Sequence, residues 1–511
     1  MKRILLGLIS VLILGFASLW LLLFTSTGNG ILKPWLESYL QGYVPDVKLE
    51  AFSLRPEQTR FTLSLKQNAR LEIDATSNLW QQSALGTWRL HATDLSELNT
   101  LLPLALGGAM SSEGRFNIAP DTLDVDGKLQ FPHSLLNFHA QQASASTPIQ
   151  AQLSGDLALT DLWTLLAQPK LASGTLSVAT SADIPRQEPL KLGAQVKLTV
   201  PDGVAYHQAI NQLSELQLPQ DQPFSLSSHS DIVSGHSLSK LQVSSPLAQI
   251  QLSDLRYVLG SDDISTQHEM QVNDLARLVF LTKTPLHGTL TATGDAQLNL
   301  KTKALTATVN SDTLGGRINA KLANQQLTAT LQDLSAVELS RLLGMKPVFK
   351  SRLEGQINYH IAQQQGTFSA LLSDGQILPN DVSALLNQAA RFDVTREVYK
   401  TVTTQGHIQQ KVITADLDMQ SQLTHINSQG ARIDLSQQQL DMLINVAIQG
   451  LKLPVHLKGD LTSPSVSADF ASLLQQNFKQ NLQQNAEKAA REAIEKEKEK
   501  LQQQFKLPKL F

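Results

Sequence analysis

The chain contains no cysteine in 511 residues, which excludes disulfides and thiolate metal sites. Charge is scarce as well: Asp, Glu, Lys and Arg make up 17% of the residues, and 42 basic against 45 acidic side chains leave a net charge of −3. With no basic surplus to meet a phosphate backbone, nucleic acid is not an expected partner. Aromatic residues amount to only 5%. Ser, Thr, Gln, Asn, Ala and Leu dominate instead, a composition that suits strands with one aliphatic face and one uncharged polar face.

Recognisable catalytic motifs are also missing. No phosphate-binding Gly-rich loop, dinucleotide fingerprint or HExxH stands in the sequence. Gly235-His236-Ser237-Leu238-Ser239 falls one glycine short of a nucleophile elbow, and its alternation reads as a hairpin strand. Ser237 and Lys240 form a Ser-x-x-Lys that a Ser-rich chain produces by chance. His133 and His139 are six residues apart with no metal-ligand pattern. Asp121, Asp124 and Asp126 lack the Gly and distal Glu of a calcium loop, so a turn is the better reading. A non-enzymatic protein is expected, with no catalytic residue, metal or cofactor.

One long apolar run is present. Ile4 to Phe24 is uncharged and follows Lys2 and Arg3. As a helix it reaches roughly 30 Å, the thickness of a hydrocarbon core. The two cations hold the N-terminus in the cytoplasm and send the rest outward. A cleavable signal would have a shorter apolar core and a small-residue cleavage site, for which Phe24-Thr25-Ser26-Thr27 is a poor match. The expectation is a single-pass inner-membrane protein whose bulk is periplasmic. Ile31 to Leu40 then reads as an amphipathic helix, with Trp35 and Tyr39 at the membrane interface or plugging the end of the following sheet.

From about residue 45 to 470 the period is two, that of half-buried strands. Between 288 and 331 one face carries Leu290, Ala292, Leu298, Leu300, Leu305, Ala307 and Val309, then Ile318, Ala320, Leu322, Leu327 and Ala329. Gly-Asp, Ser-Asp and Gly-Gly pairs separate the runs like hairpin turns. A weaker repeat interrupts the strands: Asp-Leu, a short Leu-rich helix, a turn, and a Gly-led strand. Copies start at Asp94, Asp161, Asp274 and Asp333, each Asp placed as a helix N-cap, with a diverged copy near Ile210-Asn211-Gln212-Leu213. Beyond Phe470, apolar residues at helical spacing and the run AREAIEKEKEKLQQQ predict a long amphipathic helix. It either docks on its own protein, pairs with a partner helix, or touches a membrane.

The segment from Ala415 to Asp469 carries most of the remaining signal. Met442, Ile444, Val446 and Ile448 alternate with Leu443, Asn445 and Ala447, Gly430 and Gly459 interrupt the runs, and Pro454-Val455-His456-Leu457-Lys458-Gly459-Asp460 closes it. That ordering resembles the C-terminal region of the AsmA-like family, and the anchor, first helix and Asp-Leu repeats fall in the same order as in that family. The resemblance implies a bent, groove-forming β structure. It also implies a role in phospholipid transport between the inner and outer membranes of a Gram-negative envelope, or in outer-membrane assembly.

The resulting expectation is a mainly β protein: an elongated, curled antiparallel sheet forming an open, taco-like groove, with short helical insertions. Its parts are an N-terminal transmembrane helix (1–28), a juxtamembrane helix (29–44), a repetitive β-groove (45–400), an AsmA-like C-terminal β region (401–470), and a C-terminal amphipathic helix and tail (471–511). The residues of the 290–329 face, together with Met442, Ile444, Val446 and Ile448, are the expected contacts for lipid acyl chains. The alternative is a tether or scaffold for outer-membrane protein biogenesis, meeting assembly proteins through its C-terminal helix. Composition alone leaves an open groove and a closed β-sandwich array both standing.

Overall fold

The computed structural model describes residues 24–468, without 43, 45, 56, 66–67, 79–80, 101–104, 189–190, 215–216, 259, 283–284, 391, 449–450 and 462, and residues 487–496 without 489. Among the described residues the protein is mainly β, with 60% strand and 16% helix, in 27 strands that pair antiparallel. Two compact units divide it: 1–271 with 297–303, and 272–296 with 304–511. This division falls inside the repetitive stretch 45–400.

The first unit holds β1 (Val47–Leu54), β2 (Thr59–Leu65), β3 (Ala69–Asn78), β4 (Ser83–Ala92), β5 (Met110–Ile118), β6 (Leu123–Phe131), β7 (Ser134–Gln142) and β8 (Ile149–Ala158). It continues with β9 (Ala172–Ser173), β10 (Thr175–Ile184), β11 (Gly193–Ala205), β12 (Gln222–Val233), β13 (His236–Ser244), β14 (Gln249–Val258) and most of β15 (Asp263–Val272). Successive strands pair with their neighbours, β10 with β8, while two-residue β9 pairs with the end of β11. Helix α1 (Ser26–Gln41) precedes β1, and α2 (Leu159–Leu165) and α3 (His207–Leu213) lie between strands. Of the predicted anchor, residues 4–23 lie outside the described residues. Among the described residues no helix is long and apolar enough to cross a membrane.

The inserts of this unit are not scattered. A 3-10 turn at Leu95–Thr100 precedes β5, α2 precedes β10, and α3 precedes β12. In an antiparallel meander those three strands run the same way, so all three inserts gather at one end of the strands. The buried apolar residues collect there too: Ala69, Ala92 and Leu95 in one cluster, and Phe131, Leu136, Leu157, Leu159, Leu176 and Val200 in another.

In the second unit, β16 (Leu290–Asn299) begins within it, and its last three residues group with the first unit. Then come β17 (Leu305–Thr313), β18 (Gly316–Ala323), β19 (Gln326–Ser335), β20 (Phe349–His360), β21 (Gln365–Ile377) and β22 (Tyr399–Gln409). The last strands are β23 (Val412–Gln420), β24 (Thr424–Asp434), β25 (Gln439–Ile448), β26 (Leu451–Asp460) and β27 (Ser465–Ala468). Helices α4 (Val279–Thr282), α5 (Ala336–Leu342) and α6 (Asp381–Ala390) precede β16, β20 and β22, again strands of one direction. Leu386 of α6 anchors the largest core, over Tyr399, Val402, Met419, Ile426, Val446, Val455 and their neighbours.

Local chemistry corrects several expected boundaries. Gly294-Asp295 and Ser311-Asp312 lie inside β16 and β17, not at turns. The turns fall where the backbone turns left-handed, at Leu314-Gly315 and Asn324-Gln325. The β16 strand stops because the side chain of Asn299 accepts hydrogen bonds from the Thr302 N–H and hydroxyl at 2.8 and 2.9 Å. Leu300 therefore falls in a turn rather than on the strand face. Asp94 and Asp274 do cap their inserts, accepting from Ser96 and Ala276 N–H at 3.0 Å. Asp161 does not, since it sits within the first turn of α2, and Ser335 rather than Asp333 caps α5. Three of the four expected copies, those at Asp94, Asp161 and Asp274, share a contact in a different register. The N–H of Leu95, Leu159 and Leu275 each donates to the carbonyl of a left-handed glycine ahead (Gly108, Gly174, Gly288) at 2.8–2.9 Å. The diverged copy is present as well: Asn211 clasps both backbone groups of Leu218, as Asn99 clasps those of Leu106.

Candidate functional site

Cross-strand register assigns every paired side chain to one of two faces. In the first unit a row runs Leu63, Leu71, Leu90, Ser112, Leu129, Leu136, Gly155, Val178, Leu198. The adjacent row runs Phe61, Ile73, Trp88, Gly114, Gly127, Phe138, Leu153, Thr180, Val196. No Asp, Glu, Lys or Arg occupies a paired position on this face from β2 to β15. The charges stand on the opposite face, where Arg60 pairs with Asp74 at 2.7 Å and Arg115 with Asp126 at 2.6 Å.

Among the described residues this apolar face is covered at its helical end and not beyond it. Leu157, Leu176 and Val200 are buried there, while Leu153, Val178, Val196 and Leu198 further along the same strands are only half-buried. A second layer packed on the sheet would bury the whole face, because sheet-on-sheet packing interdigitates side chains along each strand. The aromatic rings lie flat on it. Trp88 stacks on Phe116 and Phe138 with centroids 6.4 and 5.9 Å away, and its indole N–H reaches the Ser112 hydroxyl at 3.3 Å. Gly114 and Gly127 leave room for those rings.

In the second unit the equivalent rows are Val309, Ala320, Ala329, Ile357, Phe368, Gly406 and Leu353, Leu372, Val402, Met419, Ile426, Val446, Leu453. The first row is half-buried, whereas the second, from Leu372 to Leu453, belongs to the buried cluster that includes Leu386 of α6. The expected contact residues thus have three fates. Leu290, Ala307, Val309, Ile318, Ala320, Leu322, Leu327 and Ala329 share the half-buried apolar face of this unit, and Leu298 is half-buried in the first. Ala292, Ile444, Val446 and Ile448 are buried at 1, 8, 1 and 2% exposure, and Met442 packs against that core. Leu300 and Leu305 are 48 and 41% exposed. The face of the first unit was missed, although Arg60-Phe61-Thr62-Leu63-Ser64-Leu65 carries the same alternation.

Open dishes of about 600 and 1100 Å³ lie on the polar face, one beside Gly114 and Gly127, the other beside Gly355 and Ser428. Within the first, Arg115 and Asp126 already satisfy each other.

Histidine and carboxylate groups come together as structural clasps. Asp161 accepts from the N–H of His133 at 2.8 Å and the Ser134 hydroxyl at 2.6 Å, and meets His133 Nδ1 at 3.0 Å. Burial opposes its ionisation, but these bonds outweigh burial and hold the carboxyl below the usual range. Both side chains address the carboxylate, and the Ser134 hydroxyl accepts from the Ala158 N–H, so the cluster ties the 132–134 turn to α2. His207 and Asp221 form a second clasp at 2.6 Å, and His456 pairs across strands with Asp441 at 2.7 Å. Ser237 lies within β13, its hydroxyl on Ser239 at 3.1 Å. Among the described residues no group of three or more His, Asp or Glu is arranged to hold a metal ion.

Trp35 and Tyr39 stack at 5.9 Å on an exposed side of α1, 65 and 53% exposed. Residues 487–488 and 490–496 are helical and exposed, Ile494 at 66%, and the rest of the predicted C-terminal helix lies outside the described residues. Comparison with known proteins gives no match to any family model, curated protein or solved structure.

Proposed function

We propose that this protein is an inner-membrane-anchored periplasmic lipid carrier of the AsmA-like kind. In this reading it holds phospholipid acyl chains against the apolar face of its sheet and supports phospholipid transport to, or assembly of, the outer membrane. The observation that carries the reading is the apolar face, which among the described residues is free of charged paired positions and only half-buried along Leu153, Val178 and Leu198 in the first unit and along Val309, Ala320 and Ile357 in the second. Removing a Leu-sized side chain fully from water is worth about 1.5–3 kcal/mol, so a row of half-covered ones favours an apolar ligand strongly. An acyl chain fits that demand because it has no polar group to desolvate, while the head group stays in water. The apolar run at residues 4–24 supports placement beside a lipid source, and the order of anchor, repeats and C-terminal strands supports the family.

The test is mass spectrometry of organic extracts from the chain purified without its apolar run. Diacyl phospholipid in stoichiometric amounts supports the reading. A folded, lipid-free protein sinks it and leaves the scaffold alternative.

A further inference from the structure

Helix α1 has two faces with different chemistry. Its residues Asn29, Lys33, Glu37 and Gln41, spaced by four, all reach the backbone of β1. Asn29 bonds both the N–H and the carbonyl of Leu54 at 2.9 Å, Lys33 donates to the Glu50 carbonyl at 2.7 Å, Glu37 accepts from the Leu49 N–H at 3.4 Å, and Gln41 donates to the Val47 carbonyl at 3.1 Å. Among the described residues strand β1 pairs with β2 alone, so this stripe occupies its other edge along its whole length and blocks it against a further strand. A second stripe, Ile31, Trp35 and Tyr39, is 59, 65 and 53% exposed. The helix's charged residues, Lys33 and Glu37, are both spent on the sheet edge.

We infer that α1 is an adaptor that lays the β1 edge flat on a lipid bilayer, its Ile31–Trp35–Tyr39 stripe seated in the interface. The occupant is assigned by where the remaining chain ends. The uncharged run closes at Phe24, two residues before α1 begins at Ser26, so a bilayer holding that run lies within reach of the stripe. An apolar, aromatic-rich and charge-free face is what the headgroup boundary accepts. The helix is clipped along all of β1. A flat-lying α1 therefore sets the first strand parallel to the membrane and brings the start of the apolar face to the lipid. The inference rests on the anchored reading above.

A chain without cysteine permits a single spin label without background. The full-length protein carrying Ser38→Cys, beside the stripe, is reconstituted into phosphatidylcholine vesicles, with Thr122→Cys in an exposed turn as reference. The label at 38 is expected to lose accessibility to a water-soluble nickel chelate and gain collisions with oxygen, while the label at 122 stays open to the chelate. Equal chelate access at both positions overturns the inference. So does immobilisation at 38 without a gain in oxygen collisions, which indicates a protein occupant. If phospholipid co-purifies but position 38 faces water, the adaptor role fails and the carrier reading stands. If no lipid co-purifies, the carrier reading fails whatever α1 does.

Discussion

Trp88 lies across Gly114 so closely that a Cβ built on the glycine would stand 2.3 Å from the ring's Cη2 and 2.3 Å from the Asp126 carbonyl oxygen. The same ring overlies Gly127, where an added Cβ would meet it at 2.7 Å. Two glycines on neighbouring strands thus let the largest side chain of the first unit's apolar face lie flat.

Gly114→Ala is accordingly expected to force Trp88 upright or push β5 from β6. Overpacking of this kind costs about 1–3 kcal/mol. Thermal unfolding followed by circular dichroism should show a lowered midpoint, and an unchanged midpoint would contradict this close packing of Gly114 against Trp88 and the Asp126 carbonyl.

Asn29→Ala removes two hydrogen bonds from the edge of β1, at a cost of about 1–3 kcal/mol for buried groups left unmade. It also frees an edge to pair with another chain. Light scattering after chromatography should detect self-association that the parent protein does not show.

The clasp at Asp161 has a definite sign with pH. Its folded-state carboxyl titrates below the ordinary range, so its stabilisation is present in full above the unfolded value, about 3.9, and is lost as the pH falls through the lower folded value. Asp161→Asn is expected to be less stable than the parent at pH 7, with the gap narrowing as the pH drops below about 4. Urea unfolding across that range measures it, and a gap independent of pH would contradict the assignment.

Three substitutions along the expected contact set separate ligand effects from folding. Ala307→Asp places a charge on the half-buried face and is expected to leave a folded protein with less bound lipid. Ile444→Asp buries an unpaired carboxylate in the core under α6 and is expected to prevent folding. Leu300→Arg, in an exposed turn, should change neither. Lipid extraction alongside circular dichroism reads all three.

Much of this was legible in the sequence because the strand period of two needs no tertiary knowledge. It correctly placed the face of Ala307, Val309, Ile318 and Ala320, and the strands between Ala415 and Asp469. The left-handed Gly430 and Gly459 were also visible as interruptions. Turn positions were less readable. Leu314 and Gln325 take left-handed backbone at residue types that do not favour it, while Gly294 and Ser311 sit quietly inside strands. The burial of Ile444, Val446 and Ile448 in one cluster with Leu386 of α6 joins segments over fifty residues apart, and no local pattern announces such a grouping. The stripe of Asn29, Lys33, Glu37 and Gln41 is regular in spacing, yet its purpose appears only once β1 lies beside it.

The most direct measurement exploits two neighbours on opposite faces of β8. A photo-crosslinking amino acid is placed in the full-length protein at Leu153, on the half-buried apolar face, or at Gln152, on the exposed polar face, and irradiated in cells. Phospholipid adducts are expected at 153 and none at 152. Equal adducts at both positions, or none at 153 in a protein that folds, would contradict a lipid-holding apolar face.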